Sequence, residues 1–478
     1  VKPKRILVTG ASGYIGALLA PKLRAMGYRV RCMVRNPDRL APGAADGMEV
    51  VAGDALEPAS LAAALEGVDA AYYLIHSMAA GEKRFEDLDE TAARNFSRAA
   101  REARVGRIIY LSGLGTEQDD LSAHLRSRHS TGKRLAEAGV PVTELRAGSV
   151  VGSGSLSFEI IRYLTERLPL MILPRWTRGR TQPIAVADAL RYLAGCLEHP
   201  ETTGRVLEIG GADVLSYLQM MSTYARVRGL RRLFVNVPVL TPRLSSYWIG
   251  LVTPIRSGIA KALVTGTRSE LFCRDDSARR IFGFEPMGFE QAVRSALQEP
   301  REKILDAREP PLSLKKRQNR ARSRTVLHTE GMIIERWEAA VGAEQGDVFA
   351  KLMKLGGDGG WPYANALWGL RMFLDRLLGG RAHRRRRDPV RLRTGDPLDF
   401  WRVEKTEEGR LLRLRNEGMM LPGRAWLQYR LEAAGAGKPA VRQEAFFEPK
   451  GLAGVLYWYA LYPAHTVIFR GMLRALTQ

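Results

Sequence analysis

The run Val8-Thr9-Gly10-Ala11-Ser12-Gly13-Tyr14-Ile15-Gly16 lies between a β-branched, strand-like stretch and an Ala/Leu-rich stretch of helical period. Glycines at this spacing suit a phosphate. Gly10 permits the tight turn, Gly13 lets the backbone approach a diphosphate, and Gly16 lets the following helix pack close to the strand. The diphosphate would sit on the helix N-terminus, where free N–H groups and the helix dipole favour an anion. Ser12, Tyr14 and Ile15 belong to the same loop and are expected to line it, the plain alternative being a structural glycine turn. At the end of the second strand-like run, Val34-Arg35-Asn36-Pro37, Arg35 stands where an acidic residue would accept a ribose 2′-hydroxyl. A guanidinium there suits a 2′-phosphate, so NADP(H) is expected ahead of NAD(H), the alternative being a solvated arginine. Gly53-Asp54-Ala55 is placed to meet an adenine, and Asp54 can equally cap the helix that begins near Pro58.

Those residues need a parallel sheet to hold them, and the first ~150 residues have its pattern. Strands are expected at Arg5 to Val8, Arg29 to Val34, Glu49 to Val51, Ala70 to Ile75, Arg107 to Leu111 and Val142 to Leu145. Helices are expected at Ile15 to Met26, Leu61 to Leu65, Phe85 to Ala103 and Ser130 to Ala138, with apolar residues three and four apart. The fold class is therefore α/β, a doubly wound parallel sheet over residues 1–308. Residues 150–300, less regular and apolar, would build the substrate side of a cleft. A basic, proline-started linker is expected at 309–324. Residues 325–478 read as a separate α+β domain: strands at Met332 to Trp337, Phe400 to Val403, Leu411 to Leu414, Ala425 to Leu431 and Arg442 to Phe447, a helix from Gln345 to Leu355, and a long apolar helix from Leu452 to Leu476.

The chain has 478 residues, 45% of them hydrophobic, which suits two or three globular domains and excludes a largely disordered protein. Its 73 Lys and Arg exceed 51 Asp and Glu by 22, so an acidic partner fits. The three cysteines, Cys32, Cys196 and Cys273, are widely spaced and contain no CxxC, so no disulfide framework or metal site is expected. A cytoplasmic setting follows, and the start of the sequence shows no signal-peptide pattern. The uncharged run Gly451 to Phe469 reaches membrane-spanning length but carries Pro463 and His465, so it reads as a buried or interfacial helix.

The glycine loop, the strand-end Val34-Arg35-Asn36-Pro37 and the Gly53-Asp54-Ala55 turn together resemble atypical short-chain dehydrogenase/reductases of the NmrA-like or extended type, with a Rossmann fold. The likeness continues through Ala71-Tyr72-Tyr73-Leu74-Ile75-His76, Ile108-Ile109-Tyr110-Leu111-Ser112-Gly113 and Gly139-Val140-Pro141-Val142-Thr143-Glu144-Leu145-Arg146. It implies an NADP(H)-dependent oxidoreductase with Ser112 as the strand-five serine. Lys133, followed by Glu137, would hold the nicotinamide ribose. The family's tyrosine position falls on His129, and three readings stay open: His129 replaces the acid, the proton comes from elsewhere, or catalysis is lost. Ile75 and His76 at the end of strand four, and Tyr110 near the end of strand five, would lie by the nicotinamide or simply pack. The arginines of Leu125-Arg126-Ser127-Arg128 would meet an acidic substrate or face solvent.

The C-terminal pattern resembles START-like helix-grip domains, in which sheet and helix enclose an apolar ligand. Trp361, Trp368, Trp401, Trp426, Phe446, Tyr457, Trp458 and Tyr462 would line such a cavity or form ordinary core. Basic runs at Lys315 to Arg324 and Arg384 to Arg387 suit an anionic membrane surface or plain solvation, and no nucleic-acid reading module is visible. The expected function is reduction of a C=O or C=C in a hydrophobic substrate: a lipid, isoprenoid, quinone or polyketide-like compound. The competing classes are a non-catalytic NAD(P)H sensor and a membrane-associated lipid-binding or assembly protein.

Overall fold

The computed structural model describes residues 5–477 except 38–39, 41–44, 77–84, 117–118, 120, 238–251, 255–269, 299–303, 307–321, 342–344, 378, 380–387, 389–390, 420 and 434–438. The expected linker up to residue 321, the run Arg384 to Arg387 and most of the apolar stretch 238–255 fall outside the described residues. The chain divides into two compact units, residues 1–165 with 169–309, and residues 310–478 with 166–168.

In the first unit the chain runs through β1 (Arg5–Thr9), α1 (Tyr14–Ala25), β2 (Arg29–Val34), β3 (Glu49–Ala52), α2 (Pro58–Leu65), β4 (Ala70–Tyr73), α3 (Phe85–Glu102), β5 (Arg107–Gly113), α4 (Ala123–Ala136) and β6 (Val142–Ala147). After α5 (Leu156–Arg167) and α6 (Val186–Gly195), β7 (Val206–Ile209) completes one parallel sheet of order β3-β2-β1-β4-β5-β6-β7. β1 is central, and Ile6, Leu7 and Val8 are fully buried between helices on both faces, which is why that strand is apolar without alternation. The order reverses between β1 and β4, so the chain leaves their C-terminal ends in opposite directions and a crevice opens there.

Three buried tethers position the sheet around that crevice. Thr9 Oγ1 donates to the Tyr72 carbonyl at 3.0 Å and accepts the Leu74 N–H at 3.0 Å, clasping the ends of β1 and β4. Tyr72 Oη donates to the Leu193 carbonyl on α6 at 2.8 Å. Arg107, at the start of β5, donates to Thr143 Oγ1 at 2.8 Å on β6 and to the Cys196 carbonyl and Thr202 Oγ1 beyond α6. Cys32 and Cys196 are buried and Cys273 is half-buried, all as free thiols.

Helix α4 begins at Ala123, seven residues before the expected Ser130. Ser122 caps it, its side chain accepting the Leu125 N–H at 3.4 Å, so the stretch Leu125-Arg126-Ser127-Arg128 is helical. Residues 150–237 supply α5, α7 (Tyr217–Arg228) and three short two-stranded pairs, consistent with the irregular substrate-side pattern.

The second unit is an antiparallel sheet of β8 (Arg322–Thr329), β9 (Met332–Ala340), β10 (Pro397–Leu398), β11 (Trp401–Glu407), β12 (Leu411–Asn416), β13 (Gly423–Ala433) and β14 (Pro439–Pro449), in the order β8-β9-β14-β13-β12-β11-β10. α8 (Gly451–Thr477) packs on β14 and β9 through Trp458, Ile468, Phe469, Met472 and Leu473. Sequence reading missed β8, whose pairing partner β9 overrides its basic composition, and the helix Asn365–Leu377. Most of the noted aromatics are core: Trp361, Trp368, Trp401 and Trp458 share one cluster, and Trp426 and Phe446 are buried opposite each other on neighbouring strands. α8 is long and apolar enough to cross a bilayer by length and composition, with one face in this core.

Arg107→Met is expected to strand the Cys196 carbonyl and the threonine oxygens in the interior, at a cost of about 3 kcal/mol. Urea unfolding monitored through the N-terminal unit reads that loss.

Candidate active site

The glycine loop follows β1 as its spacing demands. Gly10 sits at φ +61°, and a Cβ there would lie 2.6 Å from the Leu74 carbonyl oxygen, so the clasp between β1 and β4 itself requires glycine. A Cβ on Gly16 would stand 2.3 Å from the Gly10 carbonyl oxygen, so the first turn of α1 can lie this close to the loop only without a side chain. Gly13 is the N-cap of α1, with no side-chain hydrogen bond over the helix end and no acidic residue in its first turn. The N–H groups of its first turn, with the helix dipole behind them, suit an anion. These features fit a dinucleotide's diphosphate. A nicotinamide cofactor bound there would supply hydride chemistry to the adjoining cavity.

Around this loop the other expected contacts are arranged as follows. Ser12 is exposed on the loop, Tyr14 and Ile15 face the cavity, and Arg35 is exposed just beyond β2. Asp54 Oδ1 accepts the Leu56 N–H at 3.0 Å, so the carboxylate shapes the turn into α2, while the Ala55 carbonyl accepts from Asn95 Nδ2 at 3.1 Å. Ile75 is half-buried against the core beside β4.

A cavity of about 370 Å³ runs from Tyr14 and Ile15 to an apolar wall made by Ile160, Ile161 and Leu164 of α5 and Met221 of α7. That size lies within the range of small-ligand sites. Its polar end gathers Ser112 from β5, His76 from just beyond β4, and His124 and Arg128 from α4. Ser112 is 4% exposed, lines the cavity, and its Oγ has no hydrogen-bond partner among the described residues. His76 Nδ1 lies 2.8 Å from Asp89 Oδ2, and His76 Nε2 lies 3.2 Å from His124 Nδ1. Burial pushes the His76 imidazole below its ordinary range against the pull of Asp89. Burial, then the neighbouring Arg128 and His76, push His124 down to about 3. Arg128 donates to the Leu111 carbonyl, and its guanidinium lies 5.7 Å from the Tyr110 ring centre.

The structure does not bring His129 or Lys133 to this cavity. His129 is buried with Nε2 2.9 Å from the Gly113 carbonyl, bracing the end of β5. Lys133 is exposed on α4. His129 shares a face with the cavity-lining Leu125 but spends its Nε2 on the Gly113 carbonyl, while Lys133, five residues beyond Arg128, lies well round the helix from it. Tyr110 also packs rather than lining the cavity, its hydroxyl donating to the Arg128 carbonyl at 3.0 Å. Sequence reading thus missed His124 and Asp89 as site residues. The signal available was Ser122 three residues before Leu125, a cap that starts the helix early.

Sheet order, glycine loop and crevice together define an NAD(P)-binding Rossmann domain. Residues 10–162 match the family described as NAD(P)H-binding, and residues 328–472 match a family described as a protein of unknown function, DUF2867. The chain is 24% identical over 306 residues to the 4-hydroxy-2-methyl-3-oxo-4-farnesyl-3,4-dihydroquinoline-1-oxide ketoreductase of Stigmatella aurantiaca, covering 59% of this chain and 91% of that one. It is 26% identical to the ceramide reductase of Caulobacter vibrioides over 54% of this chain and 82% of that protein. It is 24% identical to the photosystem II assembly factor Ycf39 of Cyanophora paradoxa over 49% and 72% of the two chains. Among solved structures, the NADPH complex of the Escherichia coli quinone oxidoreductase QOR2 shares the fold, with a TM-score of 0.51 and 23% identity over 61% of this chain and 100% of that one.

Gly16→Ala is expected to weaken NADPH binding by at least about tenfold, equivalent to about 1.4 kcal/mol, as read by quenching of protein fluorescence. A second expectation concerns acid. His124 titrates at about 3 in the fold against an ordinary 6.5, so between those values the unfolded chain binds the extra proton and stability falls as pH drops from 6.5. Above pH 6.5 this contribution is constant. His124→Gln should make the acid side of the stability profile shallower in denaturant unfolding across pH 4 to 8.

Proposed function

We propose that the protein is an NADP(H)-dependent reductase, acting in the cytoplasm on a C=O or C=C of a hydrophobic molecule. The observation that carries this reading is the cavity joining the glycine loop to the α5 and α7 wall, with its polar groups confined to one end. The loop and the start of α1 bind the diphosphate, and Arg35 pairs with a 2′-phosphate. Asp54 and Ala55 face the adenine. The apolar wall excludes water and orients a greasy acceptor, while Ser112 Oγ donates a hydrogen bond to its oxygen. His124, at the polar end with Ser112, takes the acid–base role that the family resemblance left open for His129, and Arg128 takes the cationic place it implied for Lys133. Relatives named as reducing a farnesylated quinoline oxide and a ceramide support a lipid-like or isoprenoid acceptor.

The C-terminal domain, in this reading, is a START-like holder that presents the apolar substrate. The helix Asn365–Leu377 leaves Leu367, Leu370, Phe373 and Leu377 exposed along one side, and the sequence then runs into Arg384 to Arg387. An anionic membrane surface would satisfy both. The second reading is a dinucleotide-binding assembly factor, favoured by the likeness to Ycf39 and by His129 standing where the resembled family has its tyrosine.

Calorimetric titration of NADPH and NADH into wild type and Arg35→Ala tests the cofactor assignment. The variant should lose about tenfold in NADPH affinity, about 1.4 kcal/mol, with NADH unchanged. NADPH oxidation with menadione and with C15 to C20 isoprenoid ketones then separates the readings. Turnover supports the reductase, and tight binding with no turnover supports the assembly factor. Phe373→Ser with Leu370→Ser should reduce cosedimentation with phosphatidylglycerol vesicles several-fold.

A further inference from the structure

Asp89 on α3, His76 beyond β4 and His124 on α4 form a line of three titratable side chains that ends in the cavity, although the three residues come from separate elements. Asp89 is 4% exposed, and its Oδ2 also accepts from Ser127 Oγ at 3.3 Å. An ionised carboxylate only accepts hydrogen bonds, so the His76 nitrogen 2.8 Å away, Nδ1, must carry the proton. In the neutral ring, His76 Nε2 is then a lone pair. It can be satisfied only by the His124 Nδ1–H at 3.2 Å, and His124 Nε2 is left as a lone pair in turn. That last nitrogen has no hydrogen-bond partner among the described residues. The charged groups facing the pair are Asp89 and Arg128: Asp89 draws a proton toward the rings, while Arg128 opposes a second one on either.

We infer that Asp89 and His76 are positioning residues of a directed proton relay that fixes both imidazoles as Nδ1–H tautomers and makes His124 Nε2 the proton-exchanging atom of the cavity. The inference rests on the reductase reading above for its substrate, a carbonyl or its alcohol, and on geometry alone for the tautomers. In the reducing direction, a nicotinamide held by the glycine loop would supply the hydride to the acceptor carbon, and the carbonyl oxygen is left in need of one proton. That oxygen takes the Nε2 proton of doubly protonated His124. The ring is left neutral with its Nδ1 proton still donated to His76, and one solvent proton restores it. In the oxidising direction, where the oxidised nicotinamide would accept the hydride, the alcohol gives its hydroxyl proton to the Nε2 lone pair of His124. The positive charge so formed on His124 is held through Nδ1–H and His76 by Asp89. The resting, neutral site is therefore a proton acceptor, and reduction needs one proton added first.

The test is long-range ¹⁵N–¹H correlation spectroscopy of the full chain with ¹⁵N-labelled histidine at pH 7, with resonances assigned through His76→Gln and His124→Gln. Both His76 and His124 should show protonated Nδ1 and bare Nε2, the reverse of the usual preference in water, and His124 should stay neutral down to pH 4.5. Asp89→Ala should switch His76 to the Nε2–H form and, through it, His124 as well, while Asp89→Asn, which keeps an acceptor oxygen, should leave both as in wild type. A protonated Nε2 on His124 in the wild-type protein overturns the relay, whether or not Asp89→Ala folds. So does an unchanged pair of tautomers in a folded Asp89→Ala. Titration of NADPH into the same samples keeps the two claims apart. Absence of NADPH binding defeats the reductase reading and leaves the tautomer result standing, whereas NADPH binding with the wrong tautomers defeats the relay alone.

Discussion

Thr9 hydroxyl holds the site together. It bridges the ends of β1 and β4, the two strands between which the chain reverses its course across the sheet. A parallel sheet tends to open at that point, because the segments leaving the two strands part company. One buried hydroxyl, used as both donor and acceptor, keeps the gap to the width of a backbone. The closeness then dictates what may follow β1: the Leu74 carbonyl occupies the space of any side chain at position 10. It also fixes His76, two residues beyond Leu74, within reach of α3 and α4. Phosphate cradle and histidine pair are thus set by the same contact.

Burying histidines beside an arginine is costly unless the rings stay neutral and hydrogen-bonded. The two histidines at the cavity meet that condition by bonding to each other and to Asp89. His129, one turn further along α4, meets it differently, through the Gly113 carbonyl at the end of β5. Its contribution is to hold the strand that carries Ser112. Two histidines five residues apart on one helix therefore do different work, and the difference is which neighbour each nitrogen finds.

The parallel sheet and the glycine loop were legible in the sequence because each rests on local pattern: β-branched runs and glycine spacing. The residues at the cavity's polar end were legible only in part. Placing His124 on a helix depends on where α4 begins, and that start is marked by Ser122, a cap whose weight is clear only once Leu125 is seen bonded to it. Asp89 carries no signal at all, since it lies on an ordinary amphipathic helix and acquires meaning from a histidine thirteen residues earlier. The helix Asn365–Leu377 escaped notice for the opposite reason. Its exposed leucines break the rule that an amphipathic helix hides its apolar side, so its pattern matched no soluble template.

The three thiols bear on the chemical environment such a protein can endure. Burial pushes Cys32 up to about 11 and Cys196 and Cys273 to about 12, so almost none is thiolate at neutral pH. Only the thiolate attacks electrophiles or is readily oxidised. None of the three lines the cavity. A hydrophobic acceptor bound there would meet hydroxyl, imidazole and guanidinium groups and the Met221 thioether but no cysteine thiol, so thiol alkylation by such a compound is disfavoured.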